Sequence, residues 1–505
     1  MKIYRTHELT PATLPLSETD KLWLYNGLDC CVTAEVLEVL LPQLDAVTQA
    51  TYELELALQQ PVLEMRLRGV LVDQDKRDEV VEKYEQQIKE YSFVVDFLIE
   101  HGIGCEHLNW RSPQQLSRLF YEVLRIPPVS RRGRTTVDRN ALEKLREYFF
   151  AQPVINHILR MRDLAKKIGV LKTEIDPDGR IRTSYNIAGT TTGRFSSSLS
   201  DFGTGGNLQN IEELLREVFI ADPGMKFAYI DLEQAESRLV GAIEWNLFHD
   251  GTYLEACESG DLHTSVCRLA WGDKVKWAND LKADRDLAEQ PFYRQHSYRH
   301  MAKVLGHGTN YNGQPYTMEQ HTKLEQKLIN DFQLVYFRAF PAHKRWHAAV
   351  EEALRRDGFL VSLSGRKRWF FGRRDDPSTI REAIAYDPQG SVGDILNRGM
   401  LQVWRTKKVQ LLLQVHDAIL IQYPEEIENE VVPAMCKSIL VPVQLKHGRT
   451  LVIPAEAKVG YNWGAYNNDP EKGPVNLDGL KKFTGTDNRR RLRWPKTDIL
   501  DRRIL

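Results

Sequence analysis

No stretch of the chain approaches the ~18 uninterrupted apolar residues of a membrane-spanning helix, and no membrane partner is expected. The opening segment, MKIYRTHELTPATLPLSETDK, lacks the apolar core of a secretory signal, and its Glu8 and Asp20 argue against a transit peptide; a cytoplasmic location is expected. Cysteine is scarce, with six residues among 505, at positions 30, 31, 105, 257, 267 and 436. None falls in a C-x-x-C pair or at a zinc-ligand spacing, so the thiols read as reduced and unpaired. A dominant charge is lacking too. With 68 Lys and Arg against 69 Asp and Glu, the net charge is −1, so any site for a polyanion has to be a local concentration of cations. RRGR (131–134), GRKRWFFGRR (365–374) and NRRRLRWPK (488–496) are such concentrations, although each alone reads first as a solvated loop. Fixed-period repeats and low-complexity tracts are absent.

What is present is an ordinary globular balance, 42% hydrophobic and 27% charged, in a chain long enough for two to four structural units. Residues 52–101 carry helical periodicity, broken at RGVLVD (68–73), where Gly69 permits a turn. In NWRSPQQLSRLFYEVL (109–124), Ser112 is placed to cap a helix that Pro113 begins, and INHILRMRDLAKKIG (155–169) continues the helical texture. From about 181 the texture changes. TTTGRFSSS (190–198) is loop chemistry, and KFAYIDLEQAESRLVGAIEW (226–245) reads as a strand ending near Asp231 and then a helix. Residues 261–357 are again helical, GFLVSLSGRKRWFF (358–371) suits a short hairpin, and LLLQVHDAILIQYP (411–424) and LVIPAEAKVGYNW (451–463) supply further strands. The plan is α+β, with a sheet assembled from distant pieces and a helical insert between them.

FAYID and LQVHDAI each set an Asp at the polar end of, or a break in, an apolar strand, a costly place for a charge. If the strands are neighbours, Asp231 and Asp417 converge and offer two hard oxygen ligands suited to Mg²⁺ and to two-metal phosphoryl transfer. Taken alone, each Asp would be a turn former or a helix cap. In SYRHMAKVLGHGTNYNG (297–313), Arg299, Lys303, His307 and Tyr311 recur every four residues. At about 100° per residue they drift only roughly 40° per step and share one broad helix face. With no Asp or Glu inside the segment, the cations are expected to be left for a phosphate chain.

Together these stretches resemble the polymerase motifs of family A DNA polymerases, the bacterial DNA polymerase I and phage replicative type. DLEQAESR (231–238) is similar to D-Y-S-Q-I-E-L-R, the basic helix to R-x-x-x-K followed by an aromatic and Y-G, and QVHDA to V-H-D-E. Further similar stretches occur in family order: VLEMRLRGVLVD (62–73), TTTGRFSSS, NLQNI (207–211), DLHTSV (261–266), GFLVSLSGRKR (358–368), REAIAYDPQGSVGDILN (381–397) and KVGYNWGAY (458–466).

The resemblance implies a right-hand polymerase fold with helical thumb and fingers and an antiparallel-sheet palm, adding deoxynucleotides to a primer 3′ end. It implies an exonuclease remnant at 1–50, thumb and connecting helices at 51–185, palm at 186–260, fingers at 261–380, more palm at 381–470 and a basic extension at 471–505. Asp231 and Asp417 would hold two Mg²⁺ ions, with Mn²⁺ as a possible substitute. Gln234, Glu236, His263, Arg299, Lys303, His307 and Tyr311 would meet the incoming deoxynucleoside triphosphate, with Lys303 placed to protonate the pyrophosphate and Glu236 to exclude a ribose 2′-hydroxyl. Arg194, Arg381, Gln389 and His416 would hold primer–template DNA, positioning it without reading its sequence. Glu236 argues against a single-subunit RNA polymerase, the retained Asp pair against an inactive DNA-binding scaffold, and the triphosphate helix against a stand-alone nuclease.

The chain departs from the family pattern in several places. Ala418 stands where the family has Glu, His307 where it has Phe or Tyr, and Asn312 where Gly follows the Tyr. YNGLDCCVTAEV (25–36) resembles the last motif of a 3′–5′ exonuclease, with Tyr25 and Asp29 in place, but few residues precede it. It reads either as a remnant packed on the polymerase body, without intrinsic proofreading, or as the dock for a separate exonuclease subunit. A phage replicase or repair enzyme, in the host cytoplasm, is the expected setting. The last 25 residues hold nine Lys or Arg and three Asp; they read as a disordered solubilising tail, as a grip on single-stranded template through Trp494-Pro495 and the arginines, or equally as a strip across the palm or a partner contact. His307 can offer the sugar 3′ side a polar contact, as Tyr would. Dideoxynucleotides are therefore expected to compete evenly with deoxynucleotides in primer extension, and strong rejection would contradict this.

Overall fold

Ser17, Asp45, Asp73 and Ser112 each accept the backbone N–H two or three residues ahead, and each starts a helix. The computed structural model describes residues 17–485 apart from 105, 106, 273, 279 and 295. Trp494 and Pro495 of the basic extension lie outside the described residues.

Helix α1 (Glu18–Leu40) buries only Cys31, and Trp23 and Tyr25 are 73% and 63% exposed. Most of its other side chains are exposed or half-buried, and its Tyr25 and Asp29 face solvent. α2 (Ala46–Arg68) ends at Gly69, whose φ of 64° suits glycine. α3 (Gln74–Ile103) packs along α4 (Gln152–Leu171) over an apolar cluster that includes Val95, Ile99, Phe120, Ile155 and Ile158.

The central sheet begins with β1 (Met225–Leu232), followed by α5 (Ala235–Phe248) and α6 (Thr252–Glu258). Then come α7 (Leu262–Trp271), α8 (Tyr298–Asn310), α9 (Gln326–Ala339) and α10 (Ala342–Asp357), sharing a second core around Val240, Tyr253, Leu305, Ile329 and Trp346. A hairpin pairing Phe359–Val361 with Lys367–Trp369 leads to the long α11 (Pro377–Arg405). β2 (Gln410–Val415) and β3 (Ala418–Pro424) return to the sheet, and β4 (Ala455–Gly460) and β5 (Lys481–Lys482) complete it. The order is β2-β3-β1-β4-β5, with every neighbour antiparallel. β5 lies beyond residue 470, so part of the segment expected to be a basic extension is sheet.

β2 and β3 are apolar along nearly their whole length because α2 packs against β2 and most of their side chains join the first core. The β2 edge is also covered, since Tyr185 Oη donates to the Gln414 carbonyl and accepts from its N–H, each at 3.1 Å. Among the described residues no helix is long and apolar enough to cross a membrane.

Arg366 ties three of these pieces together. Its guanidinium holds Asp394 of α11 at 2.8 Å and Glu55 of α2 at 2.7 Å, with the Asp394 side chain 3% exposed. A Cβ at Gly193 would come within 2.4 Å of Arg366 Cζ, so the 190–194 loop can close over the pair only with glycine there. Breaking a buried pair strands a charge. Arg366→Met is expected to destabilise the protein by about 3 kcal/mol in chemical denaturation, and a loss under about 0.5 kcal/mol, the range of ordinary surface substitutions, would contradict this role.

Candidate active site

Val415 pairs with Ala418, so His416 and Asp417 form the whole turn between β2 and β3. His416 takes a φ of 54°, the left-handed conformation that two-residue hairpin turns require. Ala418 lies opposite Asp231 in the register of β3 with β1, which brings Asp417 and Asp231 to the same end of the sheet. On the other side of β1, Glu456 of β4 is the partner of Asp231 and is held by Lys482 at 2.8 Å.

Both carboxylates line a cleft of about 280 Å³ together with Glu236, His263, Lys303 and His307. Asp231 is exposed at its rim yet flanked by protein. Lost hydration first, and then the charge of Asp417, push its carboxyl up to about 6. Burial likewise raises Asp417, with Arg194 opposing the shift and Glu236 adding to it. Arg194 Nη2 lies 2.6 Å from Glu236 Oε1 and 3.3 Å from Asp417 Oδ1. Burial alone would lower the Arg194 pKa, and the two carboxylates outweigh it. A Cβ on Gly393 of α11 would meet Arg194 Cγ at 3.1 Å, so glycine there lets the arginine lie against the helix.

Helix α8 forms the opposite wall. Met301, Ala302, Leu305 and Thr309 are buried in the second core, while Lys303 and His307 are exposed on the cleft side. Tyr311 follows the helix, and its hydroxyl donates to Glu236 Oε2 at 2.5 Å; His307 Nε2 lies 3.6 Å from the same oxygen. Burial and the Glu236 charge hold the Tyr311 phenol well above its ordinary range, so it stays a donor. Gln234, which precedes α5, takes a left-handed φ of 52°, and its buried Oε1 has no hydrogen-bond partner among the described residues.

α8 has no acid of its own, but the expectation that its cations are left free for a phosphate chain fails at Arg299. Its Nε lies 2.7 Å and its Nη2 3.2 Å from the two oxygens of Asp261, and Glu289 adds a contact at 3.5 Å. The acids are the N-cap of α7 and a residue nine positions before the start of α8, where local spacing does not look. Asp261 also caps α7, accepting from the His263 and Thr264 amides. Its position before DLHT's helical run marks it as a cap, but not as the arginine's partner. Burial and the neighbouring Arg299 lower His263 to about 4, leaving a neutral imidazole at pH 7. Arg381 and Gln389 lie on α11 outside the cleft lining, and His416 is exposed at the turn beside Asp417.

A sequence model of DNA polymerase family A matches residues 77–465. The chain belongs to DNA polymerase family A. DNA polymerase I of Chloroflexus aurantiacus is 29% identical over 471 residues, covering 87% of this chain and 46% of that protein. The thermostable DNA polymerase I of Thermus thermophilus is 26% identical over 435 residues, 81% of this chain and 47% of its own length. The chain therefore spans a little under half the length of these bacterial relatives. The POL domain of Pol1 from M. smegmatis, solved in complex with DNA primer-template and dNTP, matches with a TM-score of 0.64 at 25% identity, over 81% of this chain and 69% of that one. The mixed helical and antiparallel-sheet architecture matches the family A polymerase domain fold, in which the sheet is the palm.

The raised Asp231 pKa fixes a pH dependence. Because the folded value lies above the unfolded one, stability falls as pH rises from about 4 to about 6 and stays reduced above that. Asp231→Asn is therefore expected to stabilise the protein at pH 8 by roughly 1 kcal/mol after solvent screening, and to change little at pH 4. Equal thermal midpoints for the two proteins at pH 8 would contradict the crowded carboxylate pair.

Proposed function

We propose that the protein is a DNA-templated DNA polymerase that extends a primer 3′ end with deoxynucleoside triphosphates. The observation that carries this reading is the meeting of Asp231 and Asp417 at one end of the palm, facing Lys303 and His307 across the cleft. Two crowded, partly desolvated carboxylates are suited to a divalent cation, which relieves their mutual repulsion. Among the described residues no His, Cys or further acid joins them in a cluster of metal ligands. Water and substrate phosphate would complete the shell, as Mg²⁺ prefers, with Mn²⁺ able to replace it. Asp231 and Asp417 would hold such ions, whose chemistry when bound would be to activate an attacking oxygen and to stabilise charge on a leaving one.

The chain's own groups would do the rest. Lys303, exposed in the cleft, would neutralise the triphosphate and give a proton to the pyrophosphate. Arg299 would exchange Asp261 for phosphate oxygens, a swap between two anions of similar geometry. His263, neutral at pH 7, would donate a hydrogen bond without adding charge. Gln234 and His307 would line the nucleotide. Glu236, held by Arg194 and Tyr311, would stand where a ribose 2′-hydroxyl would enter. Arg194, Arg381, Gln389 and His416 would hold the primer–template.

A replicative or repair enzyme of phage type fits a chain whose exonuclease-like pair, Tyr25 and Asp29, is left exposed on α1. Proofreading would then come from a separate exonuclease that docks there. Primer extension with Mg²⁺ tests the reading. Asp231→Ala and Asp417→Ala are each expected to lower the rate about 10³-fold, since metal-assisted charge stabilisation is worth several kcal/mol. In the same assay, Glu236→Ala should admit ribonucleotides, and a mismatched primer end should be excised only after an exonuclease is added. Undiminished extension by either Asp variant would end the proposal.

A further inference from the structure

Around Asn310, the last residue of α8, five helices meet through polar side chains that the polymerase reading leaves without a role. Asn310 is 2% exposed. Its Nδ2 donates to Tyr253 Oη of α6 at 2.9 Å. Tyr336 Oη of α9 lies 2.7 Å from Asn310 Oδ1 and 3.0 Å from Tyr253 Oη, closing a triangle. From α10, His343 Nε2 sits 3.0 Å from the same Oδ1, and His347 Nε2 sits 2.8 Å from the Asn310 backbone oxygen. The other side of the His343 ring faces α5, where Nδ1 is 2.8 Å from Glu244 Oε1. The contact lies off the hydrogen-bonding line, yet neither carboxylate oxygen nor Nδ1 has another partner among the described residues.

The proton count follows from the chemistry of the groups. Asn310 Oδ1 can only accept, so the Nε2 facing it carries a proton. Nδ1 then faces a carboxylate deep in the core, and a bare ring lone pair against an ionised carboxylate there would be repulsive. Burial raises the Glu244 carboxyl, with the neighbouring His343 opposing the shift.

Apolar packing would fill this space at lower cost, because a buried ionic pair is often no more stable than hydrophobic residues of the same volume. The polar set does define one geometry for Asn310, and its neighbour is Tyr311, whose hydroxyl meets Glu236. Glu236 and Glu244 both lie on α5, about 12 Å apart along its axis. Helix α5 thus holds residues 310–311 at two points: Glu236 through Tyr311, and Glu244 through His343 and Asn310.

We propose that Glu244 and His343, acting through Asn310, are positioning residues that set where Tyr311 stands against Glu236 and so tune discrimination against ribonucleotides. The proposal rests on the polymerase reading of the site. Its test compares kcat and KM for dCTP and CTP, alongside the Kd for primer–template DNA. Asn310→Ala and Glu244→Leu are expected to raise the dCTP KM about tenfold and lower the dCTP preference about tenfold, the scale of a buried hydrogen bond, with the DNA Kd unchanged. Glu244→Gln, whose amide can donate to Nδ1 of a neutral ring, should restore discrimination to within about threefold.

Wild-type discrimination in a folded, DNA-binding Asn310→Ala would overturn the proposal. Should that variant fail to fold, Tyr253→Phe/Tyr336→Phe, which removes only two hydroxyls from the triangle, decides it: a reduced dCTP preference supports the role and an unchanged one overturns it. No extension by the wild type with any deoxynucleotide would overturn the polymerase reading itself, and this proposal with it.

Discussion

Two carboxylates cannot stay ionised side by side in partial burial without positive charge close at hand. That constraint organises the cleft. Main-chain pairing of β1 with β3 sets Asp231 and Asp417 at the same end of the sheet, and the apolar strands beneath them keep either from swinging away. The counter-charge comes from around them: Arg194 reaches Asp417 from the loop lying on α11, and Lys303 stands on the wall formed by α8. On the proposed reading, a sheet end that repels itself and a helix that presents cations would seat divalent ions carrying a polyphosphate.

Glu236 is the second organising group. It is approached by Arg194, Tyr311 and His307, which arrive from a loop, from the segment after α8 and from α8 itself. One carboxylate of α5 thus joins the 190–194 loop to α8 and the residue after it, and a shift of α8 has to change its set of donors. Arg299 is bound in the same economical way, since its fork already grips Asp261 in the geometry it would offer a phosphate. Movement of the fingers toward a triphosphate would trade one anion for another instead of exposing a bare guanidinium.

The features legible in the sequence are those encoded locally. Apolar runs broken by a single Asp announced β1 and the β2–β3 turn, four-residue spacing announced the cleft face of α8, and Ser112-Pro113 announced a helix start. Contacts between distant segments were not legible. Arg299 read as lacking a counter-ion because Asp261 and Glu289 lie outside its own helix. Nothing in GRKRWFF marked Arg366 as the partner of both Asp394 and Glu55. The polar set at Asn310 draws one or two residues from each of five helices, so no window of sequence contains it. α1 has apolar residues that suggest packing, yet their spacing gathers them on no single covered face and only Cys31 is buried. β5 was hidden by the basic composition around it, because a two-residue edge strand carries almost no periodic signal.

The central claim is that Asp231 and Asp417 jointly seat divalent cations against a triphosphate held by α8. Anomalous scattering from Mn²⁺ in crystals of the protein with primer–template DNA and a non-hydrolysable deoxynucleotide tests it most directly. The account predicts anomalous peaks within coordination distance of carboxylate oxygens from both residues and of the nucleotide phosphates. Mn²⁺ bound elsewhere, with the nucleotide seated and both carboxylates clear of any ion, would contradict it.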